Sequence, residues 1–415
     1  MGARAVTDQA APVTLDGAGS AIGRARRAML ADRYAEDSLK LEWRELADLL
    51  PIAREWRELA ARALEPNVFY EPAFALAAAP VFARDAGAVL VWSQGDPRRL
   101  VGFFPARIER RRYGVKLPIF VGLTHPYGPL GVPLVEREGA EPIVAAWLAH
   151  LAADESLPGL VLLPYLPDDG PFAAALASIL RRVQMPAADF NRHQRALLAP
   201  GGERALYVEY SIGQHRHKEL RRHWRRLCET GAVLFTAATE PPAIAAAMED
   251  YFSLEAAGWK GRAGTAAAEH QELRRFIRSA VSGLAAEGKV SIDRILVDGR
   301  AIAATIILRS GRSAWFWKTA FDETFARFSP GVMLSVVLTD DLLEDPSIVH
   351  TDSCATADHP MINHIWRERL KLCDRLIAVR PQARFALVRH LEALRVAAIA
   401  AAKRLRGIFR SAGTG

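Results

Sequence analysis

The chain has 415 residues, 50% of them hydrophobic and 24% charged, with a formal net charge of +7. This excludes a chain too polar to form a core and suits about two or three globular domains. The scattered cysteines Cys228, Cys354 and Cys373 exclude a disulfide framework and a CxxC motif, and no apolar run reaches the ~20 residues of a membrane span. A cytoplasmic protein with phosphate, nucleotide, anionic-lipid or nucleic-acid partners is the expectation.

Residues 1–37 lack clear periodicity and are expected to be a disordered leader, with one short helix near Ala21–Tyr34. Their arginines flank no continuous apolar segment, which argues against a secretory signal. From Leu39 the pattern firms. Leu41–Trp43 predicts a short strand. Leu49, Ile52, Trp56 and Leu59 recur at helical steps and predict a helix over Leu46–Ala63. Phe74–Phe82 reads as a second helix. Ala88–Trp92 and Leu100–Arg107 are strands joined by the turn Gly95-Asp96-Pro97, and Val115–Val121 is another. After the Pro/Gly-rich loop Thr124–Pro133 come a helix (Glu141–Leu151), a strand (Gly159–Leu163) and a helix (Pro171–Arg182). Ala199-Pro200-Gly201-Gly202 is the best linker.

Beyond the linker, helices are predicted over Ile212–Thr230, Pro241–Leu254 and Ala268–Glu287. The first carries Lys218, Arg221, Arg222 and Arg225 on one face, and reads as a solvated basic face or a contact for an anionic substrate or lipid. A meander follows: Ile292–Val297, the hairpin turn Asp298-Gly299, Ala301–Leu308, a turn at Ser310-Gly311, and Ala314–Phe321. Arg327-Phe328-Ser329-Pro330-Gly331 then opens the amphipathic segment Val332–Leu343, where Pro330 suits a first helical turn. A helix start offers free N–H groups and positive potential to an anion. A strand is predicted near Ile348–Asp352. In the tail 382–409, Leu387, Leu391, Leu394, Ala398, Ala401, Leu405 and Ile408 form an a/d-type stripe. Arg380, Arg384, Arg389, Arg395, Lys403, Arg404, Arg406 and Arg410 face a single acid, Glu392, across Arg380–Arg410.

Several positions carry chemistry. Strict strand alternation sends Trp315 and Trp317 to one face and Phe316 and Lys318 to the other, so Lys318 is either a site residue or an edge gatekeeper. Trp259 either stacks on an adenine or acceptor, with Lys260 or Arg262 pairing a phosphate, or anchors the core after a Gly258 helix cap. Asp352, Asp358 or His359 can serve as a general base, or the segment is a polar connection capped by Asp358. Cys354, His359 and His364 match no zinc spacing, so no metal site is expected.

Five stretches carry a resemblance. They are Ala256-Ala257-Gly258-Trp259-Lys260-Gly261-Arg262, Asp298-Gly299-Arg300-Ala301-Ile302-Ala303, Trp317-Lys318 with Phe321-Asp322-Glu323, Ser329-Pro330-Gly331, and Asp352-Ser353-Cys354-Ala355. Over roughly residues 205–380 the chain resembles GNAT acetyltransferases of the bacterial CelD/BcsL type, related to the Fem peptidoglycan aminoacyltransferases. The resemblance is fainter over residues 40–200.

It implies an α/β (α+β) fold of two tandem GNAT-like domains, with mixed, mainly antiparallel sheets flanked by helices. The expected organisation is a leader (1–37), an N-terminal GNAT-like domain (38–200), a C-terminal acyltransferase domain (205–380) and a basic amphipathic tail (381–415). It further implies an acyl-CoA-dependent N- or O-acyltransferase, with acetyl-CoA or another acyl-CoA as co-substrate and no covalently bound cofactor. The acceptor would be a sugar or envelope-polysaccharide precursor. The diphosphate would lie on Arg327, Ser329, Gly331 and Val332, the acceptor near Trp259, Lys260, Arg262 and Asp322, and the chemistry at Asp352, His359 and Lys318. Two alternatives stand: a Fem-like enzyme using aminoacyl-tRNA, with the basic helix on the RNA, and a non-catalytic subunit of a polysaccharide synthesis complex. The tail is expected to meet a partner groove or the inner membrane face, or to pack on its own chain; no DNA partner is expected.

Overall fold

The computed structural model describes residues 39–201, 206–380 and 385–412; the predicted leader lies outside them. Its strands are β1 (Leu39–Glu45), β2 (Ala86–Ser93), β3 (Arg99–Arg112), β4 (Val115–Gly122), β5 (Leu134–Val135), β6 (Leu160–Pro167), β7 (Ala187–Leu198), β8 (Val233–Ala238), β9 (Val290–Val297), β10 (Arg300–Ser310), β11 (Ser313–Phe321), β12 (His350–Asp352) and β13 (Glu368–Ala378). They form one sheet in the order β1-β2-β3-β4-β6-β13-β7-β12-β11-β10-β9-β8, with β5 on β3. Pairing is antiparallel except for β4 with β6 and β11 with β12. The mixed α/β class read from the sequence is the class observed.

The sheet runs through both halves of the chain. β13, from beyond residue 205, lies between β6 and β7 of the first half. A boundary at 200–205 thus divides the chain but not the sheet.

Helices cover both faces. On the face shared by the halves lie α1 (Ala53–Arg62), α2 (Pro72–Phe82), α3 (Ala140–Ala153), α4 (Pro171–Arg182), α6 (Pro241–Ala257) and α8 (Gln271–Ala285), with the short α7 (Trp259–Arg262) after α6. The opposite face of the C-terminal half holds α5 (Tyr207–Cys228), α9 (Pro330–Glu344) and α10 (Ile362–Ile365). The predicted helix over Leu46–Ala63 is regular only from Ala53. Two 3₁₀ turns precede it, because Pro51 has no N–H to continue a helical ladder. Where the halves meet, Phe74 and Phe276 pack edge-to-face at 5.4 Å. Buried Glu71 pairs with Lys289 and accepts from Ser310 Oγ across the same junction.

The tail helix, α11 (Phe385–Ala412), is rotated from the sequence expectation. Leu387 and Leu394 of the predicted a/d stripe point outward, 58% and 67% exposed. Another face docks. Val388 packs among Leu117, Ile119, Val121, Leu162 and Leu376, and buried Glu392 accepts from Arg112 Nη2 at 3.1 Å and from Tyr113. Turning Leu387 and Leu394 inward would take Glu392 away from Arg112, and a buried guanidinium stripped of a counter-charge is costly. Truncation after Arg380 is expected to lower the melting temperature, since it uncovers this cluster and strips Arg112 of one carboxylate. Unchanged thermal stability would show that the docked face contributes nothing.

Candidate active site

β11 sets the site. Ile306 and Ile307 on β10 face Lys318 and Phe316, so Trp317 is an extra residue in a β-bulge. The bulge cancels the predicted alternation. Lys318 does not share the face of Phe316. It stands beside Trp317, with Nζ 4.0 Å from the centre of the Tyr127 ring. Trp317 Nε1 donates to the Tyr127 carbonyl at 2.8 Å and holds the loop of the first half against β11.

Lys318 makes no hydrogen bond or ion pair among the described residues. Burial, reinforced by the nearby Lys260 charge, pushes its ammonium down to about 8, with Glu255 and Cys354 opposing. Buried Glu255 closes the wall: it accepts from Lys260 Nζ at 2.8 Å, Tyr251 Oη at 3.0 Å and the Ala267 N–H at 2.9 Å. His125 stacks on Phe82 at 4.3 Å, and burial beside Lys318 and Arg107 pushes its imidazole down to about 3, leaving it neutral. Cys354 follows β12 with φ of +53°. Burial and the Asp352 carboxylate push its thiol well up, so it is no thiolate nucleophile. The cluster therefore draws on both halves: the 124–133 loop, the end of α6, β11 and the turn after β12.

Beside it the sheet opens. β11 pairs with β12 only from Ser313 to Trp315, and the stretch Phe316–Phe321 has no ladder partner on that side among the described residues. At the far end, the 3₁₀ segment Glu323–Phe328 and left-handed Ser329 (φ 55°) lead into α9. Ser329 makes no side-chain cap bond, and the Gly331 and Val332 N–H groups belong to the orphan donors of the first turn. A Cβ on Gly331 would sit 3.2 Å from the Phe321 ring, so a small residue keeps this turn close to the open strand. Arg327 lies over the Phe328 ring at 4.7 Å.

Other predicted residues have structural roles. Asp352 is not placed as a base. Arg195 Nε donates to its Oδ1 at 2.7 Å and Arg195 Nη2 to its Oδ2, while the Cys354 N–H donates to Oδ1 at 3.0 Å. Arg195 also donates to the Pro129 carbonyl at 2.8 Å, so this buried pair ties the 124–133 loop to β7 and β12. His359 Nδ1 accepts from the Met361 and Ile362 N–H groups at 3.3 and 3.4 Å and caps α10; burial lowers its pKa. Asp322 caps the 3₁₀ segment through Thr324 N at 2.9 Å and pairs with Arg300. Trp259 is 59% exposed; its N–H and Arg262 both bind Glu323, at 2.7 and 2.6 Å. Of the predicted acceptor set, Lys260 alone enters the cluster, through Glu255. Glu255, Tyr127, His125 and Arg195 were not read from the sequence. One signal for Glu255 existed: an acid in the otherwise apolar last turns of a helix, immediately before the Ala256–Arg262 motif.

Residues 214–353 match the profile of the acetyltransferase (GNAT) domain family. The C-terminal half of the chain thus carries an acetyltransferase (GNAT) domain. That domain contains Glu255, Lys318 and the α9 turn, while Tyr127 and His125 reach it from the first half. Among solved structures, FemX superposes with a TM-score of 0.55 at 8% identity, over 81% of this chain and 98% of that one, which shows a shared fold. A conserved protein of unknown function from Bacteroides thetaiotaomicron gives 0.49 at 12% identity, over 81% of this chain and 99% of that one. A tandem GNAT protein from the clavulanic acid biosynthesis pathway gives 0.38 at 15% identity, over 83% and 99%. No curated protein sequence matches the chain.

Proposed function

We propose that this GNAT enzyme transfers an acyl group from acyl-CoA to an amine or hydroxyl, with Lys318 as the general base. The observation that carries the reading is an unpaired lysine, pushed down to about 8, beside an unpartnered stretch of β11. The donor diphosphate lies at Ser329–Val332, on orphan N–H groups and the positive end of α9. The thioester runs along Phe316–Phe321, where a strand N–H polarises its carbonyl. Neutral Lys318 takes the proton from the attacking amine or hydroxyl. The new C–N or C–O bond forms, the C–S bond breaks, and the thiolate leaves, with the proton on Lys318 available to it. His125, held neutral, keeps a second cation away from the amine.

By the resemblance to CelD/BcsL-type enzymes, the acceptor is a sugar or envelope-polysaccharide precursor. The exposed Leu387 and Leu394, beside Arg389 and Arg395, suit a peripheral contact at the inner face of a membrane. A Fem-like enzyme using aminoacyl-tRNA is the second reading. It is favoured by Arg216, Lys218, Arg221, Arg222, Arg225 and Arg226 on α5, none of which has an ion-pair partner among the described residues.

A coenzyme-release assay with acetyl-CoA and a panel of amino sugars tests the first reading, which fails if no thiol appears with any acceptor. Ser329→Asp is expected to raise the KM for acetyl-CoA strongly. Aspartate tolerates the left-handed backbone, but its charge repels the diphosphate. An unchanged KM would remove this turn from the donor site.

A further inference from the structure

A second cavity lies on the opposite face of the sheet from Lys318, between α5, α9 and the edge strand β8. Its volume is about 890 Å³. The wall from α5 presents Lys218, Arg221 and Arg225, which the i, i+3, i+7 spacing places on one helical face. All three are exposed, and none has a carboxylate partner among the described residues. His217 of α5 also lines the cavity, and the remaining walls are apolar: Leu220 from α5, and Met333, Val336 and Val337 from α9. Trp224 and Phe235 stack on each other at 4.9 Å, and Phe235 remains 38% exposed on a strand with no outer neighbour among the described residues.

These walls select against most ligands. Three uncompensated cations at a rim favour a multiply charged anion, above all a phosphate ester, which accepts several charge-assisted hydrogen bonds. A free anion would leave the apolar floor wet. A nucleobase stacked on the outer face of Phe235 would leave the floor of Leu220, Met333, Val336 and Val337 uncovered. We propose that this cavity binds a phosphate ester of a long aliphatic alcohol, phosphate on Lys218, Arg221 and Arg225, chain over Leu220, Met333, Val336 and Val337. The site is independent of the acyl-CoA reading, because the reacting cluster lies across the sheet.

Dodecyl phosphate below its micelle concentration is the probe, followed by calorimetry on the full chain. The expected result is binding that inorganic phosphate and dodecyl maltoside each fail to match by about tenfold or more. The variant Arg221→Glu/Arg225→Glu, which changes exposed side chains, should weaken it by a similar factor at unchanged melting temperature. Val336→Asp should weaken dodecyl phosphate while sparing inorganic phosphate. Equal binding of dodecyl maltoside, indifference to the double charge reversal, or tighter binding and displacement by ADP would each overturn the assignment. Acetyl-CoA turnover of Val336→Asp separates the two proposals, since loss of the lipid site should leave turnover intact.

Discussion

Lys318→Met is expected to lower turnover by about 10²–10⁴-fold while leaving the dissociation constant for acetyl-CoA nearly unchanged. Lys318→Arg should not rescue, because a guanidinium does not give up its proton at working pH. In the native enzyme the rate should rise with pH and level off above about 8, where the amine is neutral. A rate that falls through that range would instead mark Lys318 as a cation stabilising the oxyanion. The same substitution should raise the melting temperature at pH 7. Lys318 titrates near 8 in the fold against an ordinary 10.5, so its protonation favours the unfolded chain. That cost is absent above the ordinary value, grows as pH falls from 10.5 to 8, and is fully present below. Methionine removes it.

Asp352→Asn is expected to fail differently. It leaves the Arg195 guanidinium buried without its counter-charge, which costs about 3–5 kcal/mol of stability. Molecules that remain folded should keep their turnover. The double variant Arg195→Leu/Asp352→Leu should recover part of the loss, since an apolar pair can replace a buried ion pair. A variant with wild-type melting behaviour and turnover lowered a hundredfold would return Asp352 to the chemistry.

Elements with strong local signals were legible. Asp298-Gly299 turns the chain between β9 and β10 as expected, and Pro171–Arg182 is helical over the predicted span. The strands β7, β8 and β13 were not. The β7 sequence AADFNRHQRALL is polar because only Arg195, Ala196 and Leu198 are buried, so its identity comes from pairing with β13 rather than from hydrophobic alternation. β13 belongs to the second half of the chain but completes the first, and no local pattern encodes which strands it enters between.

The site divides in the same way. The Ser329–Val332 turn was readable as a helix start because proline and glycine act locally. The face of Lys318 was not, because a bulge is set by register against β10. Asp352 looked available because its partner, Arg195, lies 157 residues away along the chain. Glu392 shows the reverse case: alone among eight basic residues it looked incidental, yet it ties the tail helix to Arg112 and leaves Leu387 and Leu394 outward.

Calorimetric titration of the purified chain with acetyl-CoA, with aminoacyl-tRNA in a parallel cell, tests the central claim most directly. One acetyl-CoA per chain is expected, with binding weakened by Ser329→Asp and retained by Lys318→Met. No heat from acetyl-CoA or its acyl homologues at millimolar ligand, with strongly salt-dependent binding of aminoacyl-tRNA, would contradict it.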